Sequence, residues 1–224
     1  MTNEVKILAG IGIATLAIVI GAAFFLGGKP APGQEAEKIT ADQIKQLTPE
    51  SSHRIGNKKA KVTIVEFGDY QCPACGLAHA VVTQLLNEYN GRISFVFRHF
   101  PLPMHKNAQV AAMAAEAAGE QGKFFEMHDA LYENQKEWSE SNNPVDDYFV
   151  AYAKKLELDL DKFKSDIDAK KYEKIIQQGI TDGTALVINS TPTFFINDEK
   201  INGGLPYNEF KEKIDKALAA SKTP

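Results

Sequence analysis

A chain of 224 residues with 25 Lys and Arg against 29 Asp and Glu carries a formal net charge of −4, with no long basic run. That balance argues against nucleic acid as a partner, which would ask for a positive face. Two cysteines are too few for a disulfide-stapled scaffold or a four-cysteine zinc domain, and the roughly 195 residues beyond the apolar N-terminus suit one domain, or a domain carrying an insertion.

Residues 1–6 read as a short cytoplasmic tail. From Ile7 to Gly28 the chain then runs 22 residues without a charge. A helix rising ~1.5 Å per residue needs about 20 residues to cross the ~30 Å of hydrocarbon in a bilayer. The run also exceeds the ~7–15 residue apolar core of a removable signal peptide, so a single transmembrane anchor over 7–28 is expected. A cleaved signal, cut near Ala22-Ala23, is the alternative. Residues 29–54, rich in Pro, Gly, Glu, Gln and Ser, read as a spacer with one short helix at Ala41–Leu47. Lys58, Lys59 and Lys61 form a short cluster of the kind found at a solvated strand entrance.

The folded region is expected from about residue 55. Val62–Phe67 is an apolar run that predicts a strand covered on both faces. Leu77, Val81, Val82, Leu85, Leu86 and Tyr89 then recur at helical spacing, and Asn90-Gly91 supplies a left-handed stop. Ile93–Phe97 is a second buried strand, which completes a βαβ unit. From about 105 to 183 the pattern is helical, with helices predicted over 107–119, 123–134, 145–156 and 160–176. Thr193–Ile196, a turn at Asn197–Lys200 and Ile201 predict a hairpin, and Tyr207–Ala220 predicts a closing amphipathic helix. The expected architecture is a mixed α/β sheet interrupted by a block of helices.

The chemistry lies at a strand-to-helix junction, in Cys72-Pro-Ala-Cys75. A bridge closing so small a loop removes little entropy from the unfolded chain, so the pair serves electron exchange or half of a metal site rather than stapling. Pro73 suits the first helical turn, where its missing N–H is not needed. The free N–H groups there favour a thiolate on Cys72 and lower its pKa. Cys75, one turn in, should be less exposed, so Cys72 would meet substrate and Cys75 resolve. His79 extends the pattern to Cys72-x2-Cys75-x3-His79, half of a zinc site with no second cysteine pair to complete it. At the edge of the apolar stripe, His79 reads as a half-exposed surface histidine. His99 and His105 flank the Pro101–Pro103 turn and read as ordinary loop histidines. Asp159, Asp161, Asp166 and Asp168 lack the glycine and terminal glutamate of an EF-hand and read as a solvated helix face. Trp138 and Phe149 read as packing residues.

Three segments together resemble the DsbA-like branch of the thioredoxin superfamily, and most of all its membrane-anchored BdbD-type proteins. They are Val65-Glu-Phe-Gly-Asp-Tyr-Gln-Cys-Pro-Ala-Cys75, Glu120-Gln-Gly-Lys-Phe-Phe-Glu-Met-His-Asp-Ala-Leu131, and Ser190-Thr-Pro-Thr-Phe-Phe-Ile196 followed by Gly203. The resemblance implies a thioredoxin domain over 55–221 with the helical insertion at about 105–183. It implies that Cys72 and Cys75 form the redox pair and that Thr191-Pro192 is a cis-proline loop. With Pro73 and Ala74, that loop would hold the substrate peptide. It makes Glu66 the buried acid under the pair. A carboxyl set among Val, Ile and Phe should have a raised pKa and can exchange a proton with Cys75. Ala74 stands where strongly oxidising relatives carry His, so a less extreme potential is expected.

The implied function is donation of the Cys72–Cys75 disulfide to unfolded secreted or surface proteins with free thiols. The catalytic domain would lie outside the cytoplasm as a monomer, reoxidised by a quinone-linked membrane partner of the DsbB or VKOR type. No cofactor and no metal are expected. The rival readings are a tethered reductase, for example in cytochrome c assembly, and a non-catalytic metal- or protein-binding module.

Overall fold

The computed structural model describes residues 37–220. The expected anchor over 7–28 lies outside the described residues, and among those described no helix is long and apolar enough to cross a membrane. A six-stranded sheet organises the fold. Its strands are β1 (Glu37–Lys38), β2 (Arg54–Gly56), β3 (Val62–Gly68), β4 (Ile93–His99), β5 (Thr193–Ile196) and β6 (Glu199–Asn202), in the order β1-β6-β5-β3-β4-β2. Only β3 and β4 run parallel, joined by helix α2 (Pro73–Tyr89); every other neighbouring pair is antiparallel.

Side chains alternate across the strands and both faces are buried, which is why β3 and β4 read as continuous apolar runs. Ile64, Phe95, Phe97, Phe194 and Ile196 join one core cluster with Cys75, Val82 and Leu85 of α2. Val65, Phe67, Val96 and Phe195 join the other with Leu47, Phe100, Leu186 and Ile188. Helix α2 stops where Asn90 turns left-handed, at φ 33°, and its N–H donates back to the Leu86 carbonyl. The closing helix α9 (Tyr207–Ala220) packs beside α2 through Phe210 and Ile214, with Phe210 edge-on to Phe194 at 5.1 Å.

Between β4 and β5 the chain forms α3 (Ala108–Gly119), α4 (Phe124–Glu133), α5 (Gln135–Trp138), α6 (Asp146–Lys155), α7 (Leu160–Asp168) and α8 (Glu173–Ala185). The single helix expected over 160–176 is instead two. Lys170 adopts φ 50° and the Lys171 N–H donates to the Asp166 carbonyl, a left-handed terminus that ends α7 before Tyr172 starts α8. The apolar spacing runs on through the break, so periodicity alone does not show it. Helix α8 then lies directly on the end of β4: a Cβ on Gly179 would sit 2.2 Å from the His99 carbonyl oxygen, so only glycine permits the approach.

The segment up to residue 54, read as spacer, contributes to the sheet from residue 37 onward. Its helix α1 (Ala41–Leu47) forms where expected, capped by Thr40 and Gln43. Strands β1 and β2 pair with β6 and β4 at opposite ends of the sheet order. Edge pairing uses backbone groups and needs few apolar side chains, so a polar composition does not reveal it. Leu47, buried against the Val65 face, is the apolar tie.

Candidate active site

Cys72 caps the N-terminus of α2, with Pro73 in its first turn, and its carbonyl accepts the first helical hydrogen bonds, from Cys75 N at 3.1 Å and Gly76 N at 3.2 Å. Both cysteines are free thiols and buried, Cys75 completely, whereas Pro73 and Ala74 are exposed beside them. The peptide bond between Thr191 and Pro192 is cis. Cys72 Sγ donates to the Thr191 carbonyl at 3.4 Å, which places this distant loop directly against the reactive sulfur. The loop is held in turn by Gly203 N on the Pro192 carbonyl and by Thr193 Oγ1 on the Ser190 carbonyl, both at 2.9 Å.

The two sulfurs are driven apart electrostatically. The Cys75 thiol, the Thr191 hydroxyl and the N–H groups of Cys75 and Ala74 favour a negative Cys72 and hold it at about 5, against the opposing effect of burial. Thr191 Oγ1 is buried and has no hydrogen-bond partner among the described residues, so it is available to the thiolate. Burial, then the hydrogen bond to Cys72 and the charge of Glu66, push Cys75 well up.

Glu66 sits in β3 opposite Phe97 and Phe194, on the face that carries the pair. It is 1 % exposed, and its Oε1 has no hydrogen-bond partner among the described residues. Burial, then the charge of Cys72, raise it to about 8, so the carboxyl is protonated at neutral pH. A water-exposed carboxylate at a strand edge is thereby excluded.

The turn before Cys72 is organised by residues that no sequence pattern marks. The buried Asp69 carboxylate accepts from Gln71 N, Leu102 N and His105 Nδ1, each at 2.7 Å. His105 is therefore a partner of this turn rather than an idle loop residue. Gln71 Oε1 accepts from Asn107 N at 2.7 Å while its amide donates to the Ser139 carbonyl at 2.6 Å. Gln135, from the helical block, donates to the carbonyls of Tyr70 at 2.7 Å and Cys72 at 2.9 Å. In the sequence only Asp69 and Gln71, three and one residues before Cys72, could have pointed to this network; Asn107 and Gln135 leave no signal.

His79 departs from expectation. It is buried and pairs with Asp129 at 2.9 Å, because α4 covers the helix face that periodicity leaves at the edge of the apolar stripe. His99 also departs: it ends β4 and bonds Glu116 at 2.8 Å, buried.

The family profile described as Thioredoxin matches residues 48–216. Among solved structures, the chain is similar to alpha-DsbA1 of Wolbachia pipientis, at 26% identity and TM-score 0.72 over 82% of this chain and 98% of that one. It is also similar to a thioredoxin-like oxidoreductase from Silicibacter pomeroyi, at 27% identity and TM-score 0.67 over 81% and 99%. BdbD from Bacillus subtilis shares the fold at 24% identity and TM-score 0.68, over 82% and 97%. Curated relatives include proteins named Na+/H+ antiporter NhaA 1 of Salinispora arenicola, 34% identical over 98% of this chain, and NhaA 3 of Salinispora tropica, 36% identical over 92%. The chain spans about a third of their length, 34% and 31%, so the likeness concerns one part of each. With a family match across most of the described residues and DsbA-like oxidoreductases as structural neighbours, the chain belongs to the thioredoxin family, in its DsbA-like branch.

Proposed function

We propose that the chain is a thiol:disulfide oxidoreductase that works in the oxidising direction on secreted or surface proteins. One observation carries this reading: a Cys72 held at about 5 at the head of α2, against Thr191-Pro192 and above a protonated Glu66. Stabilising the thiolate stabilises the reduced pair, which makes the disulfide an oxidant.

The reaction starts from the Cys72–Cys75 disulfide. A substrate thiolate attacks Cys72 Sγ, forming a mixed disulfide and expelling Cys75. A thiol raised this far is a poor leaving group as an anion, and the Glu66 carboxyl supplies its proton. A second substrate thiolate then attacks the substrate sulfur, and Cys72 leaves as the stable thiolate. The substrate has lost two electrons and the pair has gained them. For reoxidation the Glu66 carboxylate takes the proton back from Cys75. The roles of Pro73, Ala74, Thr191 and Pro192 in seating the peptide belong to this reading. So do a membrane anchor over 7–28, placement outside the cytoplasm, and a quinone-linked partner of the DsbB or VKOR type.

The test is stoichiometric oxidation of a reduced, unfolded disulfide protein by the oxidised chain, with insulin reduction run in parallel. Rapid formation of substrate disulfides, lost in Cys72→Ser, is the expected result. Efficient insulin reduction with little oxidation would establish the reductase instead.

A further inference from the structure

Beyond the redox pair, the helical block and α2 bring three metal-ligating side chains together. His79 lies on α2 one turn past Cys75, and His128 and Asp129 are successive residues of α4. One donor atom from each of the three lies within 4.8 Å of the other two. We propose that His79, His128 and Asp129 form a binding site for a divalent transition-metal ion of the zinc type, with two imidazoles and one carboxylate as ligands.

Four features support the assignment. The donor set suits zinc, which takes imidazole nitrogen at ~2.0–2.1 Å and carboxylate oxygen at ~2.0–2.2 Å, whereas calcium and magnesium prefer oxygen alone. The His128 ring is buried and oriented by Tyr70, whose hydroxyl lies 3.1 Å from Nδ1. A partner on the far nitrogen is the usual second support of a metal-bound histidine, and it leaves Nε2, which has no hydrogen bond among the described residues, for the ion. His79 Nε2 and Asp129 Oδ1 are already 2.9 Å apart, with the His79 side chain 9% exposed and that of Asp129 50%. The carboxylate can therefore swing by the small amount that admits an ion. Finally, the three residues line one wall of a groove of about 430 Å³ shared with Thr83, Asn87 and Asn90. The groove leaves the fourth coordination position to water or a small ligand, and no cysteine is involved.

An ion here would clamp the helical block to the active-site helix, with Tyr70, two residues before Cys72, as its outer support. The clamp is independent of disulfide exchange and stands or falls separately from it. The test uses the full chain with its disulfide formed, so that no thiolate competes. Zn2+ is titrated against a chromophoric chelator and Co2+ is followed by its d–d absorption. Wild type should take up one ion per chain, show the intense bands of low-coordinate Co2+, and melt higher when saturated with zinc. Asp129→Asn, at a half-exposed position, should weaken uptake at least tenfold and abolish the zinc-dependent rise in melting temperature. His79→Gln should do the same while retaining the far-ultraviolet spectrum. Absence of saturable uptake by wild type, or wild-type affinity in Asp129→Asn, overturns the site.

Discussion

Two buried glutamates in this molecule meet opposite fates. Glu66 in β3 is 1% exposed and its Oε1 has no hydrogen-bond partner among the described residues; burial and the nearby Cys72 raise it to about 8. Glu116 in α3 is 4% exposed, but His99 bonds Oε1 at 2.8 Å and His53 bonds Oε2 at 3.0 Å. Burial pushes Glu116 up as well, and the two histidines overcome that and hold it at about 2. Burial sets the same sign for both groups; partners decide which one ionises. A buried carboxyl without partners costs stability once it ionises and is suited to moving protons, whereas a carboxylate between two imidazoles fastens α3 to the end of β4 and to His53.

Substituting each glutamate by its amide separates the two roles, and the largest effect belongs to Glu66. Glu66→Gln should slow disulfide exchange with a model dithiol about 10²-fold at neutral pH, because it removes the acid proposed to protonate Cys75. The fold should meanwhile gain stability. The Glu66 pKa is higher folded than unfolded, so its contribution is full below about 4.5 and is lost as pH rises through about 8. At pH 7 the amide should therefore be more stable than wild type by about 3 kcal/mol, with the gap closing below pH 4.5. Urea unfolding across pH, beside stopped-flow exchange, checks both halves. A variant that exchanges normally removes Glu66 from the mechanism.

Glu116→Gln should behave in the opposite way. Its folded pKa is depressed, so its contribution is present above about 4.5 and lost as pH falls through about 2. The variant should lose about 3 kcal/mol at neutral pH, approach wild type in strong acid, and leave exchange rates unchanged. A slowed exchange would mean that the two sites are coupled. The smallest effect is expected at Gln135, which bonds the active-site turn without charge. Gln135→Ala should lose about 1–2 kcal/mol in chemical unfolding with no pH dependence.

Much of this contrast is legible one residue at a time. Glu66 stands out because a lone acid interrupts an apolar strand, and Cys72-Pro-Ala-Cys75 stands out because helix chemistry favours a thiolate at that position. Local signals also place the βαβ unit, the Asn90 stop, helix α1 and the closing helix. What stays hidden depends on partners distant in sequence. Glu116 looks like one polar residue in an alanine-rich helix until His53 and His99 meet it. Gln135 and Asn107 carry no pattern, because they answer to backbone groups of the 70–72 turn and of residues 138–141. Strands β1 and β2 pair through their backbone with β6 and β4. His79 looks like the edge of a stripe until α4 covers it.

If a stabilised Cys72 thiolate makes this pair an oxidant and Ala74 tempers it, the reduction potential of Cys72–Cys75 in glutathione buffers reports it. A thiol at about 5 lies between that of thioredoxin, ~7, and that of DsbA, ~3.5. With ~30 mV per pKa unit, the couple should fall at roughly −210 to −165 mV, between thioredoxin near −270 mV and DsbA near −120 mV. A value at or below about −270 mV would contradict the account and identify a reductase.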